Sequence, residues 1–297
     1  MKIQKKHIKY IIFTMLIAFA LLAFDVRLKT VHYNITSDKI NTPMRIALIT
    51  DLHSCKYGTG QKTLIDAVDK EKPDMILLGG DIFDDEIPDD NTKTFLTAMA
   101  KRYPCYYVTG NHEYWSRRAD EMLAWLEANG IEDIGGKTIR MNVNGNEISL
   151  SGLNDPDEAR YTGEGDGMVI ELERAKNERD DTAFTMLLTH RPSFVNLYKD
   201  AGFDLVLAGH AHGGQWRIPG ILNGTFAPDE GWLPKFAGGR YSFDNGSQMI
   251  VSRGLAREST RVPRIFNRPE LVIINISRSC EASRFSGTHS KQSFVNG

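Results

Sequence analysis

Short apolar runs recur along this chain from residue 44 onward, each four to six residues long and each ending in polar residues. Runs of this length that are apolar on both faces are typical of strands buried inside a sheet. The predicted strands cover residues 46–50, 75–78, 105–109, 148–151, 184–189, 205–208, 249–252 and 271–275.

Stretches with helical periodicity lie between several of these runs. In the first of them, Leu64, Ile65 and Val68 fall on one face of a helix. The predicted helices cover residues 61–72, 92–102, 119–129, 169–179 and 193–200. Strands that alternate with amphipathic helices indicate an α/β layered sandwich.

The amino-terminal segment has a different pattern. Residues 10–24 carry no charge and follow a start that contains Lys2, Lys5, Lys6 and Lys9. We interpret 1–9 as a basic cytoplasmic start and 10–26 as a membrane anchor that places the remaining chain outside the cell. A cleavable signal peptide with its cleavage site near Ala23 is the alternative. Residues 27–43 are predicted to be a linker with some β-character.

Composition narrows the function of the rest of the chain. The formal charge is −2, and removing the four amino-terminal lysines leaves −6 for the other residues. An acidic body argues against nucleic-acid binding, so no nucleic-acid partner is expected. The three cysteines, Cys55, Cys105 and Cys280, are scattered, which favours thiols over a disulfide framework, although a Cys55–Cys105 bridge is conceivable. Residues 44–278 form the predicted domain, and 279–297 form a flexible polar tail.

Metal-type ligands follow the predicted strands repeatedly. In α/β sheets the carboxyl ends of strands gather bound ligands at one edge, so we expect these side chains to converge. Their mixture of imidazole and oxygen donors suits Mn, Fe or Zn better than Ca. The candidate metal ligands are Asp51, His53, Asp81, Asn111, His190, His210 and His212.

These residues form five ordered blocks: Asp51-x-His53, Gly80-Asp81-x-x-Asp84, Gly110-Asn111-His112-Glu113, His190 and Gly209-His210-x-His212. The set resembles the calcineurin-like metallophosphoesterases over residues 44–276. The stretch 209–219 is similar to the bacterial membrane-associated branch of that family, apart from Ala211, where many relatives carry Thr. The resemblance implies a four-layer α-β-β-α sandwich.

The resemblance also implies roles for the matching residues. Two divalent ions would be held, the first by Asp51, His53 and His212, the second by Asn111, His190 and His210. Asp81 would bridge the two ions, and a bridging hydroxide would attack phosphorus directly. His112 would protonate the leaving oxygen, and Asp84 would orient His112.

Three further positions near these blocks have two readings each. Arg191 is a candidate substrate ligand because it follows His190, and a surface ion pair explains it equally well. Trp216 begins an aromatic loop, residues 215–236, that is a candidate contact for a lipid-linked substrate; packing of the loop onto the domain is the simpler explanation. Glu113 is predicted either to cap a helix or to take part in chemistry.

The sequence thus predicts a membrane-anchored, extracytoplasmic phosphoesterase, in particular a phosphodiesterase. One alternative is a pyrophosphatase acting on a lipid-linked sugar nucleotide. Another is a non-catalytic, metal-stabilised binding module at the cell surface. The physiological substrate and the oligomeric state are left open.

Overall fold

The computed structural model describes residues 5–163, 167–257 and 262–279. The predicted tail lies outside these residues from position 280 on. The helices are α1 Lys5–Ala23, α2 Lys62–Glu71, α3 Asp90–Ala100, α4 Asn111–Trp115, α5 Ala119–Ala128, α6 Asp157–Thr162, α7 Gly167–Glu178 and α8 Val195–Tyr198. The strands are β1 Lys29–Thr36, β2 Met44–Ile49, β3 Met75–Gly79, β4 Cys105–Val108, β5 Ile131–Asp133, β6 Thr138–Val143, β7 Asn146–Gly152, β8 Phe184–Leu188, β9 Leu205–Ala208, β10 Phe226–Ala227, β11 Gly231–Trp232, β12 Gly239–Ser242, β13 Gln248–Val251 and β14 Glu270–Ser277.

Two mixed six-stranded sheets form the centre of the fold. The first has the strand order β1-β14-β2-β3-β4-β5, and the second has the order β12-β13-β9-β8-β7-β6. Strands β2 to β5 are parallel to one another, as are β7, β8, β9 and β13. Parallel neighbours place their carboxyl ends at one edge, and each of the eight predicted strands has a counterpart in these sheets.

The hydrophobic core lies in three layers. Alternate residues of β2 point to opposite sides, so Ile46 and Leu48 pack between the two sheets while Ala47 and Ile49 pack under α2, α3 and α5. A third apolar cluster joins the outer face of the second sheet to α7 and α8. This layering is the predicted α/β sandwich, with helices outside and two sheets inside.

The stretch 27–43, predicted as a linker, contains an edge strand instead. Strand β1 pairs in parallel with β14 over all eight of its residues. Tyr33 and Ile35 alternate with exposed neighbours, which is the period-two pattern of a half-buried strand. The alternation covers only a few residues, so the sequence indicates β-character there without defining the strand.

Helix α1 carries apolar side chains on its exposed surface, including Phe13, Leu16 and Leu22. Its carboxyl end is joined to the domain, because the backbone N–H of Phe266 donates to the carbonyl of Ala23 and the Phe19 and Phe266 rings meet edge to face at 5.3 Å. Among the residues that the structure describes, we find no helix with the length and apolar character needed to cross a bilayer. The predicted anchor at 10–26 is therefore not confirmed.

Candidate metal centre

The predicted ligands follow the carboxyl ends of β2, β3, β4, β8 and β9. Five of them have positive backbone φ angles, between 47° and 64°: Asp51, His53, Asp81, His210 and His212. Residues other than glycine rarely adopt this left-handed conformation, and it is concentrated at functional sites where the surrounding structure enforces it. The sharp turns at the strand ends bring the side chains together at one edge of the sandwich.

A first cluster contains Asp51, His53, Asp81 and His212. One ligand-type atom from each lies within 4.8 Å of the others, and all four residues are buried. His53 Nε2 lies 3.6 Å from Asp81 Oδ2, and His212 Nε2 lies 3.7 Å from Asp51 Oδ1. Two carboxylates and two imidazoles at this spacing can surround one divalent ion.

A second cluster contains Asp81, His190 and His210. His190 Nε2 lies 3.0 Å from Asp81 Oδ2 and 3.2 Å from His210 Nδ1. Asp81 belongs to both clusters, which is the placement that a bridging carboxylate requires. The division of ligands between two ions, including the place of Asn111 in the second set, remains a prediction.

Several oxygen and nitrogen atoms that could bind a metal at this edge are buried and have no hydrogen-bond partner among the described residues. They include Asp51 Oδ2, His53 Nε2 and Asn111 Oδ1. An unpaired buried polar atom is costly, so such a group points to a ligand that completes it. Carboxylate, imidazole and amide donors together fit Mn, Fe or Zn. The cluster is therefore suited to a dinuclear metal centre.

The pKa values of the buried groups in the centre are shifted both by burial and by the charges of their neighbours. Burial lowers the pKa of His190, but the neighbouring charge of Asp81 outweighs burial and raises that pKa to about 10. Burial acts in the opposite direction on Asp81, whose pKa is nevertheless lowered, chiefly by His190. Burial, followed by the charge of His53, lowers the pKa of His212. His212 thus keeps a neutral ring with a lone pair available for a cation.

Glu113 holds the loop that carries Asp81. Its carboxylate accepts hydrogen bonds from the backbone N–H groups of Asp81, Ile82, Phe83 and Gly110, at 2.7–3.0 Å. The bond from Gly110 caps the amino terminus of α4, as one of the two readings predicted. The other three bonds tie the loop after β3 to the loop after β4, a link that the sequence does not reveal.

Two adjacent aspartates support two different histidines. Asp84 Oδ2 lies 2.9 Å from His53 Nδ1 but 3.6 Å from His112 Nδ1. Asp85 Oδ1 lies 2.6 Å from His112 Nδ1. Asp85 thus makes the closer contact with His112, and Asp84 makes its closer contact with a candidate metal ligand. The predicted role of Asp84 in orienting His112 stays a prediction. Sequence reasoning missed Asp85 because spacing alone does not distinguish two neighbouring carboxylates.

Arg191, predicted either as a substrate ligand or as part of an ion pair, lies among three carboxylates. Its guanidinium donates to both carboxylate oxygens of Asp155, at 2.7 and 2.8 Å, and to Asp229 Oδ2 at 2.5 Å. A third carboxylate, Asp157, lies 3.2 Å away. The side chain is buried, and its contacts join three loops. A contact of Arg191 with the substrate stays a prediction.

Trp216, the other candidate substrate ligand, lies near the loop preceding β14. Its indole N–H donates to the carbonyl of Pro263 at 3.0 Å, and its backbone pairs with Ile265. The side chain is 44% exposed. Part of the ring therefore packs on the domain, and part faces solvent.

Glycines leave space for the acidic ligands. A Cβ atom at Gly110 would lie 2.2 Å from Asp81 Oδ1, and one at Gly254 would lie 2.6 Å from Asp51 Cβ. Gly254 also has a φ of +69°, which side-chain-bearing residues rarely adopt. Gly254 follows β13, outside the five blocks, so no sequence signal marks it as part of the centre.

The α/β sandwich and the two clusters sharing Asp81 define a protein built to hold a dinuclear metal centre. The model of the family described as calcineurin-like phosphoesterase matches residues 44–214, more than half of the chain. The chain belongs to this family. The resemblance drawn from the five blocks is confirmed.

Curated relatives agree with this assignment, and one solved structure shares the fold. A metallophosphoesterase of Helicobacter pylori is 28% identical over 184 residues, which are 60% of this chain and 47% of that protein. The chain thus spans about half the length of this relative. The Bacillus subtilis metallophosphoesterase YkoQ is 24% identical over 282 residues, 89% of this chain and all of the relative. The Thermus thermophilus 5'-nucleotidase precursor shares the fold, with a TM-score of 0.50 at 13% identity over 81% of this chain and 55% of that one.

Proposed function

We propose that the chain is a two-metal phosphodiesterase that hydrolyses its substrate directly, without a covalent enzyme intermediate. The observation that carries the proposal is the placement of His112 next to two buried clusters that share Asp81. The rings of His112 and His53 meet edge to face with centroids 4.3 Å apart. A proton donor thus lies beside a candidate metal ligand.

The residues that would hold the metals are those of the two clusters together with Asn111. Bound divalent ions would polarise the phosphoryl group and activate water at neutral pH. The protein supplies the rigid cradle: Glu113 fixes the Asp81 loop, and Asp84 fixes the His53 ring. Such supporting hydrogen bonds orient ligands and raise their basicity.

His112 is the proposed general acid. The carboxylate of Asp85 can accept a hydrogen bond from Nδ1–H, so the ring would act as an acid in its imidazolium form, whose Nε2–H would pass its proton to the leaving oxygen. The side chain is 21% exposed, whereas that of His53 is 1% exposed. This partial exposure supports access of His112 to a substrate from solvent.

We also propose that the substrate is lipid-linked. Outside α1, exposed large apolar side chains are concentrated in residues 216–233, where Ile221 is 84%, Trp232 79% and Leu233 66% exposed. Trp216 at the start of this segment pairs with Ile265, and the next residue, Phe266, contacts α1. An apolar surface rich in tryptophan and adjoining an apolar helix is suited to the interface of a bilayer.

The proposed location is the outer face of the cell membrane, with the apolar amino-terminal segment 10–26 as the proposed anchor. The uncharged run 10–24 after four lysines supports this orientation. Retention of the chain in carbonate-washed membranes, together with digestion of the domain by protease added to intact spheroplasts, would agree with it. Protection of the domain from that protease would contradict it.

The activity test uses the full chain in detergent with bis-p-nitrophenyl phosphate and p-nitrophenyl phosphate, with Mn²⁺ and with chelator. We expect Mn²⁺-dependent cleavage of the diester and a loss of about 100-fold or more in His112→Ala. The matched control is His32→Ala, because His32 is an exposed histidine on the edge strand β1. Its activity should equal that of the parent.

Other outcomes would redirect the assignment. A folded, metal-loaded parent that cleaves neither ester but cleaves a sugar-nucleotide diphosphate would favour the pyrophosphatase. A parent that cleaves none of the three, and whose melting temperature falls sharply in chelator, would favour the non-catalytic binding module.

A further inference from the structure

The two ring nitrogens of His210 face opposite partners. Nδ1 lies 3.2 Å from His190 Nε2, inside the second cluster. Nε2 lies 3.1 Å from Asp229 Oδ2, on the other side of the ring. Contacts on both nitrogens fix the plane and the tautomer of an imidazole, and a carboxylate behind a metal-ligating histidine is a common arrangement.

Asp229 comes from the aromatic loop, outside all five blocks. Strands β10 and β11 pair antiparallel, and Asp229 lies in the short connection between them. Its φ of 62° is left-handed, a conformation that aspartate tolerates better than most residues. The same strands bring the rings of Phe226 and Trp232 to 5.6 Å from each other. One small hairpin therefore carries both an exposed aromatic pair and a carboxylate aimed at His210.

Asp229 is also anchored from the domain side. Arg191 Nη1 lies 2.5 Å from the same oxygen that faces His210. The guanidinium is already paired through two bonds with Asp155. Because Asp155 neutralises Arg191, charge balance does not require Asp229 at this place. The additional negative charge is instead suited to stabilise a cation bound on the far side of His210.

We propose that Asp229 is a positioning residue of the second metal site, holding His210 so that Nδ1 faces the ion. The inference rests on the proposed two-metal function. It makes the aromatic hairpin a structural part of the metal centre. It also assigns Arg191 the task of holding Asp229 in place.

The test measures metal binding by the full chain, without substrate. Apo protein is titrated with Mn²⁺ alone, following bound metal by equilibrium dialysis and the coupling of paired ions by electron paramagnetic resonance. Asp229→Ala removes the carboxylate, and Asp229→Asn keeps its shape but removes its charge. The matched control is Asp244→Asn, since Asp244 is an exposed aspartate on the turn between β12 and β13. Circular dichroism checks that each variant is folded.

We expect both Asp229 variants to bind one Mn²⁺ as the parent does and the other about 10- to 100-fold more weakly. Asp244→Asn should keep both affinities. Parent-like binding of two coupled ions by Asp229→Asn and Asp229→Ala would overturn the inference and leave the proposed function intact. A parent that binds fewer than two Mn²⁺ ions would instead overturn the proposed function, and the inference with it.

Discussion

His112 Nδ1 lies 2.6 Å from Asp85 Oδ1, so the proposed acid is contacted by a carboxylate that is not itself a candidate metal ligand. The preceding residue, Asp84, is directed to His53 instead. Asp84 is nearly buried, whereas the side chain of Asp85 is 26% exposed. Two neighbouring carboxylates thus contact two different rings: Asp84 contacts a candidate metal ligand, and Asp85 contacts the proposed acid.

This division predicts different defects for two conservative variants. Asp85→Asn should lower kcat about 10- to 100-fold and leave Mn²⁺ affinity unchanged, because only the orientation of His112 is affected. Asp84→Asn should weaken binding of Mn²⁺, because it removes the carboxylate behind His53. Steady-state kinetics at saturating Mn²⁺, combined with metal titration, distinguish the two. If both variants showed the same changes in kcat and in Mn²⁺ affinity, the two carboxylates would act as one unit.

The burial of Arg191 predicts a loss of stability when it is replaced. Arg191→Met leaves Asp155, whose side chain is 0% exposed, without its cationic partner. Breaking a buried pair from one side costs about 3–5 kcal/mol in free energy of unfolding. Urea denaturation would measure this loss.

The control for that variant is Arg140→Met, since Arg140 is an exposed arginine that lies 3.6 Å from Asp180. An exposed pair contributes about 1 kcal/mol or less. If Arg191→Met kept the parent's stability and raised only KM, Arg191 would be the substrate ligand that the sequence predicts.

Glu158 predicts a pH dependence of stability. Burial, and then the charge of Glu171, raises the pKa of Glu158 from 4.5 to about 7 in the folded protein. The folded state therefore binds this proton more tightly than the unfolded state. The resulting stability is fully present below pH 4.5 and is lost as the pH rises through 7.

The expected loss is about 1 kcal/mol, because the side chain is half-buried and solvent screens part of the effect. Urea denaturation of the parent between pH 4.5 and 8 should show this loss. The Glu158→Gln variant should lack this loss. Glu127 is an exposed glutamate on α5, and Glu127→Gln should behave like the parent. A Glu158→Gln profile parallel to that of the parent would refute the assignment.

The aromatic loop predicts a selective effect on lipid substrates. Trp216→Ala combined with Trp232→Ala should lower turnover of phosphatidylglycerol in mixed micelles about 10-fold or more, because burial of even one large apolar side chain contributes about 1.5–3 kcal/mol. Turnover of bis-p-nitrophenyl phosphate should stay within about twofold of the parent. That limit corresponds to a change of less than about 0.5 kcal/mol in the activation free energy. Ile170→Ala, on the exposed side of α7, is the control. Equal losses on both substrates would argue against a lipid-facing loop.

The sequence by itself determined the strands that carry the site and the residues at their ends. Short apolar runs and period-3.6 patterns are local, so the eight strands and most of the helices could be predicted from short windows of sequence. The order of the five blocks likewise predicted which side chains meet, because parallel strands place their carboxyl ends at one edge.

Only the tertiary structure decided how those side chains are paired and supported. The choice between Asp84 and Asp85, the engagement of Arg191 and the approach of Asp229 to His210 depend on loops that meet in space. His210 and Asp229, for example, are brought together by a hairpin that contains no metal-binding motif. Hydrogen bonds between separate loops depend on packing distances that a linear pattern does not specify, so these contacts became visible only in the folded chain.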